Sequence, residues 1–251
     1  MKGMAADPLR PPPPPIDPAW ALFLDVDGTL LDFTPHPDDV TVSPALRDTL
    51  AALHRRLGGA LTLVSGRPLA MLDALFDPLR LPAAGLHGLE LRHGDDLRPA
   101  PAAADALPEV LEEARAFAAA RPGVVVEDKG SAVGLHWRAA PAHGDAMQDF
   151  ARAALALLPG YRLQHGNQVA ELRPAGADKG DAIATLAARP PFRGRHPVFV
   201  GDDLTDEHGF TVVNDLGGDS VLVGPREPSA ALCGLADTRA VLAWLQQGVA
   251  V

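Results

Sequence analysis

The stretch Ala21-Leu22-Phe23-Leu24-Asp25-Val26-Asp27-Gly28-Thr29-Leu30 decides the fold. Ala21 to Leu24 is an apolar run without alternation, which reads as a strand buried on both faces, and it runs straight into a carboxylate. Leu61 to Val64 repeats the pattern and ends at Ser65-Gly66-Arg67, as does Val198-Phe199-Val200, ending at Gly201-Asp202-Asp203. Helical patterns separate these runs. Ser43-Pro44 is a cap with proline at the first helical position, and Leu46, Leu50, Leu53 and Leu57 follow at helical spacing until Gly58. Pro68 opens a second helix carrying Leu72, Leu75 and Phe76, Asp181 to Ala188 reads as a third, and a last one begins near Asp237. Ala83 to Leu86 and Val221 to Val223 add further strands. Strands alternating with helices predict an α/β fold with a parallel sheet covered on both faces.

Between residues 92 and 174 the rhythm changes. A helix from Leu107 to Ala120 precedes two strands, Val124 to Lys129 and Ser131 to Arg138, joined at Gly130. A helix from His143 to Leu158 then precedes Tyr161 to His165 and Gln168 to Arg173, another tight pair. Helix-strand-strand twice over predicts an antiparallel sheet with helices on one face. The expected organisation is a core of residues 19–91 and 175–251, an inserted domain of residues 92–174, and a leader of residues 1–18. Consecutive prolines from Pro11 to Pro15 exclude helix or sheet interior there, so the leader is expected to be extended and disordered.

Composition narrows the partners. Lys and Arg number 22 against 32 Asp and Glu, a formal charge of −10, which disfavours binding to nucleic acid or to an anionic membrane. One cysteine, Cys233, excludes an internal disulfide or a multi-cysteine zinc site and suits a reducing compartment. No apolar run approaches the ~20 residues that span a bilayer, and the start lacks the apolar stretch of a signal peptide. A cytoplasmic protein is expected, and a monomer, because no long apolar stripe is left unused.

In open parallel sheets ligands bind outside the carboxyl ends of the strands. The pattern therefore collects Asp25, Asp27, Thr29, Ser65, Arg67, Asp202, Asp203 and Asp206 at one edge. Unpaired carboxylates in one cleft repel, and a hard divalent cation offsets that repulsion; few carboxylates and no full protein cage suit Mg²⁺. A carboxylate at Asp25 can attack phosphorus and form an aspartyl-phosphate. Asp27 can protonate the leaving oxygen and then deprotonate water. Gly28 permits close backbone approach to phosphate oxygens, Ser65 can donate a hydrogen bond, and Lys179 can supply positive charge. Taken singly, Asp-Gly between apolar runs is a common hairpin turn. A calcium loop is excluded, because Leu30 stands where its glycine belongs and His36 where its bidentate glutamate belongs.

Asp25-Val26-Asp27-Gly28-Thr29, Ser65-Gly66-Arg67, Lys179-Gly180 and Gly201-Asp202-Asp203-Leu204-Thr205-Asp206-Glu207 resemble the successive motifs of the haloacid dehalogenase (HAD) superfamily. That resemblance implies a Rossmann-like core with an inserted α/β cap of the larger, C2 type, in the order αββαββ. Gly85-Leu86-His87-Gly88 with Glu90, Glu127-Asp128-Lys129 to His136-Trp137-Arg138, and Glu171-Leu172-Arg173-Pro174 are similar to the trehalose-6-phosphate phosphatase family. The implied activity is Mg²⁺-dependent hydrolysis of trehalose 6-phosphate, the last step of trehalose biosynthesis. By that resemblance Asp25 is the nucleophile and Asp27 the acid/base. Mg²⁺ would be held by Asp25, Asp27 (through its carbonyl) and Asp202, with Asp203 and Asp206 beside them. Thr29, Ser65, Gly66, Arg67 and Lys179 would line the phosphate site, and Glu127, Lys129, His136, Arg138 and Glu171 the sugar site. Sucrose-phosphate and mannosyl-3-phosphoglycerate phosphatases share comparable cores. A non-catalytic sugar-phosphate sensor is the alternative from another class, and it would need neither Asp25 nor Asp27.

Overall fold

The computed structural model describes residues 10–34 and 39–250. The chain divides into two compact units. The first takes in the described residues up to Thr34, then Val40–Leu97 and the described residues from Ala177 onward; the second is built from Asp39 and Arg98–Gly176.

The first unit holds a sheet of β1 (Trp20–Leu24), β2 (Leu61–Val64), β3 (Ala83–Gly85), β4 (Glu90–His93), β5 (Asp96–Arg98), β10 (His196–Gly201), β11 (Asp219–Val223) and β12 (Cys233–Leu235). Their spatial order is β12-β11-β10-β1-β2-β3-β4-β5. From β12 to β3 all neighbours are parallel, while β4 turns back antiparallel to β3. Every residue of β1 and β2 is buried, as a sheet covered on both faces requires. The helices are α1 (Pro44–Arg56), α2 (Leu69–Phe76), α5 (Lys179–Ala187), α6 (Glu207–Asp215) and α7 (Thr238–Ala250). α1 packs against α7 and α5 against α6. Crossovers leave β1 toward β2 and β10 toward β11 in opposite directions, and right-handed crossovers then put α1 and α6 on opposite faces. The strand order reverses at β1 and β10, so a crevice opens at their carboxyl ends. Ser43 caps α1 as its sequence predicts: its Oγ accepts from the Leu46 amide at 3.2 Å.

The second unit is a sheet of β6 (Val125–Asp128), β7 (Val133–His136), β8 (Tyr161–Gly166) and β9 (Val169–Pro174), ordered β6-β7-β9-β8 and antiparallel throughout. α3 (Leu107–Ala119) and α4 (Gly144–Leu155) complete it. Val133, Leu135, Trp137, Ala170 and Leu172 form one apolar face, packed with Val110, Ala114, Met147 and Ala151 of the helices.

Three features differ from the sequence expectation. Residues 10–18 are ordered, not a disordered leader, while residues 1–9 lie outside the described part. The Pro11 carbonyl accepts from the Gly234 amide at 2.9 Å, the Pro14 carbonyl accepts from Trp244 Nε1 at 2.9 Å, and Ile16 is buried against Gly248. Hydrogen bonds from β12 and α7, with the packing of Ile16 on α7, anchor a segment whose own composition offers no secondary structure. The second unit begins at Arg98, the last residue of β5, and not at residue 92, because β4 folds back beside β3 and β5 beside β4 through a turn at Gly94. Ordered helix also follows Asp206: Glu207 to Asp215 is α6, although a glycine and β-branched residues weaken its propensity. No helix among the described residues is long and apolar enough to cross a membrane.

Candidate active site

Asp25 follows β1 directly, and its amide donates to the Val200 carbonyl at 2.9 Å, which fixes it beside the end of β10. Lys179 opens α5, placed by the Asp178 cap whose carboxylate accepts from the Asp181 amide. The Lys179 ammonium donates to Asp25 Oδ1 at 2.6 Å and to Asp206 Oδ1 at 2.7 Å. All three are nearly inaccessible, at 3% exposure for Asp25 and Lys179 and 0% for Asp206. Asp206 Oδ2 in turn accepts from the amides of Asp202 and Asp203, at 3.0 and 2.9 Å. Asp206 is thus a buttress that holds the turn after β10 and steadies the lysine. Thr29 Oγ1 lies 3.3 Å from Asp25 Oδ2 and 3.5 Å from Asp202 Oδ1.

Carboxylate oxygens of Asp25, Asp202 and Asp206 all lie within 4.8 Å of one another. Gly28 makes this possible. Its φ is +86°, and a Cβ there would stand 2.2 Å from Asp202 Oδ2. Electrostatics follow from the crowding. Burial pushes the Asp25 carboxyl up to about 7, Asp206 and Asp27 push the same way, and Lys179 pulls against them. Burial, then Asp25 and Asp206, hold the Asp202 carboxyl well above the usual carboxylate range. Burial disfavours the Lys179 ammonium, but Asp206 and Asp25 more than offset it, so its pKa is raised and it stays charged. One ammonium among these carboxylates leaves room for a second positive charge, and an all-oxygen donor set suits a hard divalent cation.

The Asp203 carboxylate, expected beside the ion, turns elsewhere, and the Asp27 carboxylate, of which only the backbone carbonyl was expected at the ion, is engaged by an arginine. Asp27 is gripped by Arg67, whose Nε reaches Oδ2 at 2.8 Å and Nη2 reaches Oδ1 at 2.7 Å. Asp203 turns back to cap the following 3₁₀ turn, accepting from the Leu204 amide at 2.7 Å. At these strand ends the group of described side chains that could hold a cation is therefore Asp25 and Asp202 with Asp206 behind them.

The Ser65-Gly66-Arg67 turn is held from behind by a feature whose structural part the sequence did not reveal. Leu86 and His87 both adopt left-handed backbone, with φ of 47° and 54°, an arrangement that costs about 1–3 kcal/mol per residue. Their amides donate to the carbonyls of Arg67 and Ser65, at 3.0 and 2.8 Å. A Cβ on Gly66 would lie 2.6 Å from His87 Nε2, so the imidazole fills the space that glycine leaves. A histidine followed by glycine after a strand was the available signal.

In the second unit, strand register lines up Glu127, Gly134, Glu171 and Gln164 across the sheet. This face is opposite the helices, as alternation along β7 and β9 predicts. Lys129 Nζ is 2.6 Å from Glu171 Oε2 and 3.7 Å from Glu127 Oε2, and His136 Nε2 is 2.8 Å from Glu127 Oε2. Burial raises the Glu127 carboxyl, but Lys129 and His136 outweigh it and hold it below its usual value. Arg138 diverges from this group: its Nη2 donates to the Asn167 carbonyl at 2.9 Å. Gln164, which sequence reading passed over, accepts from Arg173 Nη1 at 3.0 Å.

Residues 23–232 match the sequence model of a family described as trehalose-phosphatase. A probable trehalose-phosphate phosphatase of Sinorhizobium fredii is 45% identical over 216 residues, covering 86% of this chain and 82% of that protein. Trehalose-6-phosphate phosphatase of Escherichia coli is 42% identical over 236 residues, covering 93% of this chain and 88% of its own. Among solved structures, the C-terminal domain of C. albicans trehalose-6-phosphate phosphatase superposes with a TM-score of 0.80 at 22% identity, covering 92% of each chain. That last likeness speaks for the fold.

Proposed function

The chain belongs to the trehalose-phosphatase family of phosphoric monoester hydrolases, and from that premise we propose that it hydrolyses trehalose 6-phosphate to trehalose and phosphate. Asp25 attacks phosphorus, the sugar oxygen leaves with a proton from Asp27, and the aspartyl-phosphate is then opened by a water that Asp27 deprotonates. The observation that carries this reading is the buried Asp25–Lys179–Asp206 chain with Asp202 beside it. Lys179 orients the Asp25 carboxylate and keeps positive charge against the approaching phosphoryl group. Asp25 and Asp202 would hold Mg²⁺, with Asp206 fixing the turn that carries Asp202. When bound, the ion supplies charge that favours ionised Asp25 and offsets repulsion between nucleophile and substrate.

The Arg67 fork adds a step. A carboxylate held by both its oxygens cannot hand a proton to a leaving group, so Asp27 must first release Arg67. A phosphoryl group is an anion able to take the guanidinium in exchange. Substrate arrival thereby frees the Asp27 carboxylate, which takes a proton from solvent before it gives one to the leaving oxygen. Ser65 and the Thr29 hydroxyl lie at the same strand ends and complete the polar lining.

Specificity is assigned to the second unit. Glu127, Lys129, His136 and Glu171 form a linked set of donors and acceptors on a sheet face with a glycine at its centre, which suits the several hydroxyls of a sugar ring. Arg138, tied to the Asn167 carbonyl, is a scaffold residue in this reading.

The test is phosphate release from trehalose 6-phosphate, sucrose 6-phosphate, mannosyl-3-phosphoglycerate and mannose 6-phosphate, with Mg²⁺ and with a chelator. Turnover of the trehalose ester, lost on chelation and in Asp25→Asn, is the expected result. Preference for another ester would overturn the substrate, and turnover surviving in Asp25→Asn would overturn the covalent route. A chain that binds these esters without releasing phosphate would be a sensor.

A further inference from the structure

The turn after β10 is pinned from two sides. Asp206 accepts its amides, at Asp202 and Asp203. On the other side Arg226, in the loop between β11 and β12, takes its carbonyls: Nε donates to Asp202 O at 3.2 Å and Nη2 to Asp203 O at 3.3 Å. Arg226 Nη1 also donates to Pro228 O at 3.0 Å, and Nη2 pairs with Glu207 Oε1. Glu207 Oε2 accepts from the Ala230 amide at 2.8 Å, so the guanidinium ties this loop, the start of α6 and the Asp202-Asp203 turn into one unit. Arg10 secures the same loop from outside, donating to Ala231 O at 2.7 Å and Ser229 O at 3.1 Å and pairing with Glu227.

We propose that Arg226 is a positioning residue for the cation site: by fixing the Asp202-Asp203 turn it sets the affinity of that site for Mg²⁺. The proposal rests on the reading of Asp25 and Asp202 as cation ligands. The rigid fork of a guanidinium reaches both carbonyls and the carboxylate at once, and a lysine ammonium on a flexible stem does not reproduce that geometry. The bonds that Arg226 makes all run to the turn, its own loop and Glu207, and none to Asp25 or Lys179. Its influence on the cation site therefore passes through the Asp202-Asp203 turn. A partner that orients a ligand without touching the ion is worth roughly 10- to 100-fold in affinity.

Calorimetric titration of Mg²⁺ into metal-free protein tests this, with wild type, Arg226→Lys, Arg226→Gln and Asp202→Asn compared beside their melting temperatures in chelator. We expect both Arg226 variants to bind Mg²⁺ roughly 10- to 100-fold more weakly, and activity lost at low Mg²⁺ to return as Mg²⁺ is raised. Wild-type Mg²⁺ affinity in both variants, whatever happens to the melting temperature, would reduce Arg226 to a brace of the fold. If wild type and Asp202→Asn bind Mg²⁺ indistinguishably, the cation reading fails first and takes the proposal with it.

Discussion

Lys179→Met removes a charge while keeping most of the side chain's volume. Lys179 lies 2.6 Å from Asp25 and 2.7 Å from Asp206, and all three are buried. The variant strands two carboxylates without their ammonium, and breaking a buried pair in this way costs about 3–5 kcal/mol. For a chain of this size that is a fall in Tm of roughly 6–20 °C. pH supplies the sharper signature. Asp25 already has its pKa raised to about 7 by burial, above the value of about 4 it has in an unfolded chain. A group raised in this sense adds stability that is full below the unfolded value and is lost as pH rises through the folded one. Without Lys179 the Asp25 pKa climbs further, so the variant's deficit should be large at pH 8 and shrink toward pH 5, where the carboxyl takes up a proton. Scanning calorimetry of metal-free wild type and variant across that range measures it. A deficit independent of pH, or none at pH 8, would refute the view that Lys179 compensates buried negative charge.

Gly28→Ala places a methyl group 2.2 Å from Asp202 Oδ2 on left-handed backbone, and should cost about 1–3 kcal/mol in stability and weaken Mg²⁺ binding in the same titration. Glu171→Ala should lose activity on the disaccharide phosphate while largely keeping it on a small aryl phosphate; equal losses on both would assign Glu171 to the chemistry or the fold. Ser43→Ala removes the α1 cap and should lower stability by about 1 kcal/mol, read as a denaturant midpoint shift with kcat unchanged.

The parallel sheet was legible because β1, β2 and β10 are continuous apolar runs, each ending in a polar residue at the same edge. The order of helices and strand pairs in the insert was legible from alternation: Val133, Leu135 and Trp137 do face the helices. What escaped depended on partners. β12 is Cys-Gly-Leu, too short to read alone, and it exists because β11 lies beside it. β4 and β5 are charged and joined at a glycine; the edge of β3 makes β4 a strand, and β4 in turn makes β5 one. At the site, spacing brought Asp25, Asp202 and Asp206 to one edge, where the structure gathers them, but it did not give side-chain directions. Arg67 claims the Asp27 side chain and Asp203 caps a turn, and both outcomes depend on side-chain geometry that residue order does not encode.

The ordered proline segment has a consequence for solubility. An outer strand such as β12 presents unpaired backbone groups, and a covering segment usually only transfers that exposure to itself. Pro11 can accept a bond from Gly234, yet the run from Pro11 to Pro15 carries no amide hydrogen to offer in return. The sheet therefore terminates there without leaving a ladder that a second molecule could extend.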